Sequence, residues 1–211
     1  MMANHAVTRR DALSLVVLAS MTWRARAQPP DDPLARLFSE LGARRERQAR
    51  FTERKFSALL KTPIESSGTL IFRAPDLLEK RTVEPQRETV KIEGSVVTYE
   101  SAALRGGAGK RTFALSDAPL LAALIESLRA TLAGDLPALR RHYEVSWNAT
   151  AQGGWQLTLV PRERALLDAV SKVVLRGAGS EVGAIDVVEA NGDLTLMQIS
   201  ALPAPSAPTK K

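Results

Sequence analysis

The sequence predicts a mainly β domain of the α+β class. Its core should be a strongly curved, unclosed antiparallel sheet of about ten or eleven strands with helices on the concave side. Short alternating segments, each ended by glycine, proline or Asn-Gly, recur between residues 51 and 199 and indicate strands joined by turns. Two other segments carry apolar residues at helical spacing. Because flat open sheets of this size are unusual, the sheet should curl and bury the apolar stripes of these helices.

The first 27 residues have the three parts of a secretory signal peptide. A polar start ends in Arg9 and Arg10, an apolar run covers 12–21, and small residues lead to Ala27. The run is shorter than the roughly 20 residues that span a bilayer. We expect export to the periplasm, by the twin-arginine or the general route, with the mature chain starting at Gln28. A buried N-terminal helix is the alternative interpretation.

An amphipathic helix is predicted to open the mature chain. Asp31, Asp32 and Pro33 form a helix-start signal, and apolar residues recur at helical spacing as far as Leu41. The helix is expected to continue to about Arg50 with a polar second half. That half is interpreted as a solvated face, or alternatively as a docking patch for anionic lipid or a partner.

Strands and turns follow this helix. Strands are predicted at 51–56, 68–72, 77–83, 88–93, 96–99, 111–115, 143–149, 155–160, 173–175, 182–189 and 194–199. Shorter helical segments are expected near 136–141 and 162–169, a flexible glycine-rich loop at 106–109, and a disordered tail at 201–211.

A second amphipathic helix is predicted between Pro119 and Gly134, where proline can start a helix and glycine can end one. Glu126 and Arg129 are expected on the side opposite its apolar stripe. The stripe consists of Leu120, Leu121, Leu124, Ile125, Leu128 and Leu132.

The composition argues against an enzyme. The chain has no cysteine and only two histidines, which excludes a disulfide scaffold, a thiolate nucleophile and metal sites built on Cys or several His. We therefore expect no metal and no cofactor. The formal net charge of +6 falls to about +3 once the signal peptide is removed, so nucleic-acid binding is not expected.

The mature chain resembles the LolA family of periplasmic lipoprotein carriers and is identified as a divergent member. The similar strings, in the family's order, are Phe51-Thr-Glu-Arg, the segment GTLIFRAPDLL at 68–78, Ile92-Glu-Gly94, WQLTLVP at 155–161 and Asn191-Gly192. The chain departs from the family pattern at several positions. Ala74 replaces the arginine that precedes the proline, Leu78 replaces Phe, Lys80 replaces Trp and Glu53 replaces Gln.

The resemblance implies an unclosed barrel over residues 28–200, with a helical lid above a hydrophobic cavity. It implies a monomeric carrier for acyl lipids or lipoproteins, with an inner-membrane donor and an outer-membrane acceptor. In the family an arginine ties the lid, so the neighbouring Arg73 is the candidate lid tether here. A lipid-sensing regulatory module on the same fold is the alternative, and an enzyme acting on acyl lipids is the least favoured.

The cavity lining can be predicted by combining the implied fold with strand and helix periodicity. Each of these residues could instead belong to an ordinary packed core. The predicted lining residues are Leu70, Phe72, Leu78, Val90, Ile92, Val97, Tyr99, Phe113, Leu121, Leu124, Leu128, Leu157, Leu159, Leu175 and Val187.

Overall fold

The computed structural model describes residues 32–102 and 109–202, which form one antiparallel sheet and the helices that cover it. The strands are β1 (Glu46–Phe56), β2 (Ile64–Arg73), β3 (Leu77–Glu84), β4 (Glu88–Glu93), β5 (Val96–Ser101), β6 (Gly109–Ala114), β7 (Tyr143–Ala149), β8 (Gly154–Pro161), β9 (Val170–Ala178), β10 (Glu181–Glu189) and β11 (Leu194–Ala201). The α-helices are α1 (Pro33–Ala43), α2 (Pro119–Ala133), α3 (Leu136–His142) and α4 (Arg164–Leu167). The predicted signal peptide, most of the glycine-rich loop and residues 203–211 of the tail lie outside the described residues.

The sheet has eleven strands in the order β6-β5-β4-β3-β2-β1-β11-β10-β9-β8-β7. Neighbouring strands pair antiparallel throughout, and β1 joins the early strands to the late ones by pairing with both β2 and β11. Within the described ranges β6 and β7 remain edge strands, so the barrel is not closed. The predicted fold class is confirmed. The last strand reaches Ala201, which pairs with Ala49, so the start of the predicted tail belongs to the sheet.

The opening helix is shorter than predicted. Asp32 caps it, with its Oδ1 accepting a hydrogen bond from the main-chain nitrogen of Leu34 at 3.0 Å. The apolar stripe ends at Leu41, and α1 ends at Ala43. The predicted continuation is therefore wrong. Beyond Leu41 no apolar side chains continue the helical face, and the polar segment from Glu46 pairs with β2 instead.

Helices α1 and α2 cross at very close range, and glycine makes this crossing possible. Gly134 ends α2 in the left-handed conformation, with φ of +75°. A Cβ added to Gly134 would lie 2.2 Å from the main-chain oxygen of Phe38, and one added to Gly42 would lie 2.6 Å from that of Ala133. This contact holds the C-terminal end of α2 against α1. No helix in the described part of the chain is long and apolar enough to cross a membrane.

Most of the buried apolar side chains form two clusters on the concave side of the sheet. The first lies under α1, α3 and α4 and contains Leu34, Leu37, Phe38, Leu41, Ala130, Leu136, Leu139, Tyr143, Trp155, Leu157, Leu159, Leu166, Val170, Val173 and Leu175. The second lies between α2 and strands β2–β5 and contains Phe72, Leu78, Ile92, Val97, Leu115 and Leu132. Helix α2 contributes to both clusters, so the two halves of the domain meet along this helix.

Candidate binding cavity

A cavity of about 140 Å³ lies between α2 and the concave side of the sheet. Its walls come from β1, β2, β3, β10, β11 and the second half of α2, so both halves of the sheet contribute. The lining residues are Arg47, Gln48, Ala49, Leu70, Ile71, Phe72, Leu78, Glu79, Lys80, Leu128, Leu132, Glu181, Val182, Ile185, Ile199 and Ala201. The walls are mainly aliphatic, with a few charged groups at the margins.

Helix α2 forms the roof of this cavity. Leu128 and Leu132 line the space directly. Leu121, Ala122 and Ile125 pack nearby against the same buried cluster of strand residues. The side chain of the predicted lid residue Leu120 lies outside the described residues. The roof is thus an apolar helical face resting on an apolar sheet face, as predicted for a lid.

The floor of the cavity is the concave face of strands β1–β5. The strand register aligns the side chains of this face in rows across the strands, and the rows become more polar with distance from α2. The row nearest α2 is Arg47, Phe72, Leu78, Ile92 and Val97. The next row is Ala49, Leu70, Lys80, Val90 and Tyr99. The third row is Phe51, Gly68, Thr82, Glu88 and Ser101. The floor therefore offers an apolar end under the helix and a polar end away from it.

Lys80 marks the boundary between the two ends. Its Nζ lies 2.8 Å from Oε2 of Glu53 and 4.9 Å from the centre of the Phe51 ring. The paired side chains are 30% and 18% exposed, so the ion pair is partly shielded from water. Beside it, the Tyr99 hydroxyl donates to Glu88 at 3.2 Å. The Lys80–Glu53 pair neutralises the charge that Lys80 brings into the cavity wall.

Arg47 is a second cation in the cavity wall. Unlike Lys80, it bonds to main-chain oxygens and not to a carboxylate. Its Nη1 donates to the main-chain oxygen of Ser180 at 2.7 Å, and its Nη2 donates to that of Leu41 at the end of α1. Its Nε is buried and has no hydrogen-bond partner among the described residues. Burial lowers the pKa of Arg47 below its usual value; Glu181 acts in the opposite direction and Arg44 in the same direction.

Arg129, and not the predicted Arg73, joins α2 to the sheet in this structure. Arg129 projects from α2 and donates to the main-chain oxygens of Asp76 at 2.6 Å and Gly94 at 2.7 Å. Those carbonyls belong to the turns after β2 and after β4, so one guanidinium joins the helix to two turns. Arg73 instead donates to Glu46 on the neighbouring strand, and both side chains are well exposed.

Arg129 was also expected on the open side of α2, yet it is only 8% exposed. The physical reason is that α2 is covered on more than one side. Its residue Ala130 belongs to the cluster under α1, while Leu132 belongs to the cluster with the strands. The face opposite the predicted stripe therefore reaches the turns of the sheet instead of solvent.

The structure divides the predicted lining residues into three groups. Four of them line the cavity: Leu70, Phe72, Leu78 and Leu128. Six others lie in or against the second cluster, or beside it in the floor: Val90, Ile92, Val97, Tyr99, Phe113 and Leu121. The remaining five lie in or against the first cluster: Leu124, Leu157, Leu159, Leu175 and Val187.

The third group requires a correction. Leu157, Leu159 and Leu175 are 2% exposed or less and pack in the cluster beneath α1, α3 and α4. They belong to a packed core and not to the cavity wall. Strand periodicity places these side chains on the correct face, but it does not show which helices fill the space above them.

Several cavity residues were missed by sequence reasoning. Ala49 and Arg47 fall in the segment predicted as helix, so their strand alternation was not considered. Val182 and Ile185 lie on β10, on either side of a register shift between Val182 and Ala184. Such a shift changes which residues face inward and has no clear signal in the sequence.

A second apolar feature lies on the surface, at the turn between β1 and β2. Leu59 is 94% exposed, and its neighbours Leu60 and Ile64 are 43% and 49% exposed. Lys61 stands between them and is exposed as well. A cluster of three aliphatic side chains in water is unfavourable by itself, and such patches commonly mark contact with a membrane or another protein.

The part of the chain that the structure describes contains no cluster of metal-binding side chains. Within residues 32–102 and 109–202, no group of three or more His, Asp or Glu side chains is arranged to hold a metal ion. The chain contains no cysteine. What the described residues do provide is an apolar cavity, charged groups at its margin and a helix that covers it.

Comparison with known proteins gives one family. Residues 33–209 match the family model described as "Outer membrane lipoprotein carrier protein LolA-like". No curated protein matches the chain.

Solved structures of similar fold have low sequence identity to this chain. One is a LolA superfamily protein from Nitrosomonas europaea, with 11% identity, a TM-score of 0.42, and coverage of 82% of this chain and 93% of that one. Another is the MucA/MucB complex of Pseudomonas aeruginosa, with 13% identity, a TM-score of 0.46, and coverage of 83% and 59%. A third is a DUF1329 family protein from Desulfovibrio piger, with 8% identity, a TM-score of 0.34, and coverage of 79% and 88%.

Proposed function

Since this chain belongs to the LolA-like family of outer-membrane lipoprotein carrier proteins, we propose that it is a periplasmic carrier of acyl chains. The family match confirms the resemblance predicted from the sequence. The family has a lipid- and lipoprotein-binding fold and is periplasmic, and it is not typically enzymatic. In the proposed role, the cavity under α2 receives an acyl chain at the inner membrane and gives it up at the outer membrane.

The observation that carries this proposal is the apolar cavity between α2 and the sheet. Its walls include Leu70, Phe72, Leu78, Leu128 and Leu132. Each methylene group moved from water into such a site contributes about 0.8 kcal/mol. Apolar burial alone can therefore hold an acyl chain without any covalent chemistry.

The volume of the cavity indicates that α2 must move for loading. An apolar cavity of about 150 Å³ accommodates a molecule the size of benzene. The space of about 140 Å³ is therefore too small for a long acyl chain. Because Leu121, Ile125 and Leu128 of α2 pack against the strands, displacing the helix would open the floor along its length. Closed and loaded states must then be close in free energy, as carriage and release require.

The exposed turn between β1 and β2 supports contact with a membrane. Leu59, Leu60 and Ile64 present aliphatic surface that a bilayer interface can bury, and Lys61 can face anionic headgroups. This turn lies at the polar end of the floor, because it connects β1 to β2 beyond the row that contains Phe51 and Gly68. In the carrier model it is the point at which the protein contacts the donor or acceptor membrane.

Transfer of a fluorescent acyl probe to quencher-containing phospholipid vesicles tests the carrier function. We expect the wild-type protein to bind the probe and to pass it to vesicles. Leu59→Glu should bind the probe equally well but transfer it about tenfold more slowly, since about 1.4 kcal/mol of apolar burial at the membrane is lost.

The control is Val96→Glu, which places the same charge at another exposed aliphatic position, 46% exposed, at the start of β5. It should transfer at the wild-type rate. Failure of the wild-type protein to bind the probe contradicts the carrier function. Equal transfer by both variants shows that the Leu59 turn is not the membrane contact.

A further inference from the structure

Arg47 stands out among the charged residues that line the cavity. The other three each have a partner of opposite charge: Lys80 pairs with Glu53, Glu79 with Arg81, and Glu181 with Arg44. Arg47 bonds instead to two main-chain oxygens, those of Ser180 and Leu41. Carbonyl groups satisfy two of its nitrogens but do not neutralise its charge. The cavity wall therefore carries one positive charge without a bonded carboxylate.

The position of Arg47 makes this charge available to a ligand. It lies in the floor row nearest α2, directly opposite Phe72 on β2, and Leu78 follows on β3. Its two main-chain contacts hold the guanidinium between the end of α1 and the turn after β9. Its Nε–H is buried and unpaired within the described structure. A buried donor without an acceptor is unfavourable, and a charged donor more so.

We propose that Arg47 binds the acidic head of a single-chain amphiphile, such as a fatty acid, whose tail lies along Phe72, Leu78 and Leu128. This inference rests on the proposed carrier function and names the class of its ligand. A carboxylate near Arg47 would neutralise the charge and could accept from the unpaired Nε after a small side-chain adjustment. The first few carbons would fill the cavity of about 140 Å³, and movement of α2 would admit the rest.

The geometry favours an acidic head over an uncharged one because the binding partner in the wall is a cation. A carboxylate attracts the guanidinium through its full opposite charge, and this attraction is stronger where water is excluded. A hydroxyl head would leave the positive charge of Arg47 uncompensated. Lys80 cannot supply the same preference, because both oxygens of Glu53 already accept from its Nζ at 2.9 and 2.8 Å.

Displacement of an uncharged fluorescent acyl probe tests this inference with dodecanoate, dodecanol and acetate at pH 7.5. The carboxyl group is ionised at this pH. We expect dodecanoate to bind the wild-type protein about tenfold more tightly than dodecanol, and acetate not to displace the probe. Arg47→Met should bind dodecanoate and dodecanol with equal affinity, so that the ratio of the two affinities falls from about ten to about one.

The matched control is Arg50→Met, which removes an exposed arginine three residues later on β1 and should keep the tenfold preference. If Arg47→Met does not fold, Arg47→Gln keeps a polar side chain and should equally lose the preference. Equal binding of dodecanoate and dodecanol by the wild-type protein overturns the acidic-head inference and leaves the carrier function standing. Failure of the wild-type protein to bind the probe itself overturns both, and displacement of the probe by acetate as effectively as by dodecanoate overturns the inference that one ligand places its head at Arg47 and its tail in the cavity.

Discussion

Leu78→Glu is expected to weaken acyl-chain binding by about 100-fold or more while leaving the domain folded. Leu78 is 8% exposed and lines the cavity, so a carboxylate there would face the incoming chain. Placing an unpaired polar group against apolar surroundings costs roughly 2–7 kcal/mol, and a 100-fold change corresponds to about 2.7 kcal/mol. In the empty state the cavity gives the carboxylate space that a packed core would not. Titration with a fluorescent acyl probe measures the affinity, and thermal unfolding measures the stability.

The matched control for this variant lies on the same strand. Val83 on β3 is 52% exposed, so Val83→Glu introduces the same charge into solvent. It should change neither affinity nor thermal midpoint appreciably. If Leu78→Glu unfolds the protein, Leu78 belongs to an ordinary packed core. If the variant folds and binds the probe as the wild type does, the cavity is not the acyl site.

Arg129→Met is expected to lower the free energy of unfolding by about 1–3 kcal/mol and to speed ligand exchange. The substitution leaves the main-chain oxygens of Asp76 and Gly94 without their donor and frees α2 from both turns. A change of about 1.4 kcal/mol in the closed state corresponds to a tenfold change in the population of open molecules. Release of a bound acyl probe should therefore be about tenfold faster, as measured by stopped-flow exchange against unlabelled lipid.

Glu126→Gln is the control for this variant. It removes the ion pair between Glu126 and Arg129 but keeps the hydrogen bonds from Arg129 to the two turns. Arg129 also pairs with Glu126 at 2.8 Å, and the Glu126 side chain is 53% exposed. Because exposed ion pairs contribute little, this variant should lose at most about 1 kcal/mol and exchange ligand at the wild-type rate. If Arg129→Met releases the probe at the same rate as the wild-type protein, α2 does not control access to the cavity.

The sequence predicts the sheet well because its strands are local patterns. Val90 and Ile92 alternate with polar residues, and Asn191-Gly192 forms the expected turn between β10 and β11. The start of β1 could not be predicted in this way, since residues 44–50 are almost entirely polar and offer no alternation to detect. Their structure is decided by distant partners, above all β2 and the end of α1, which Arg47 contacts.

The cavity was predictable only in part, and the reason lies in packing. Periodicity correctly places Leu70, Phe72 and Leu78 on the concave face. It cannot distinguish them from Leu157 or Leu175, which have the same alternation but lie beneath α1 and α3. Which residues border empty space depends on how helices pack across the sheet, and no local pattern encodes that arrangement. Arg129 illustrates the same limit, because helical spacing alone assigns it to solvent.

Photo-crosslinking with an acyl chain that carries a diazirine within its first few carbons tests the central claim most directly. After irradiation and digestion, mass spectrometry identifies the labelled peptides. The account predicts saturable labelling of the floor segment from Leu70 to Leu78 and of the α2 segment around Leu128, abolished by excess unlabelled fatty acid. Labelling confined to the exposed turn at Leu59, or labelling that unlabelled fatty acid does not compete away, would contradict an acyl site beneath α2.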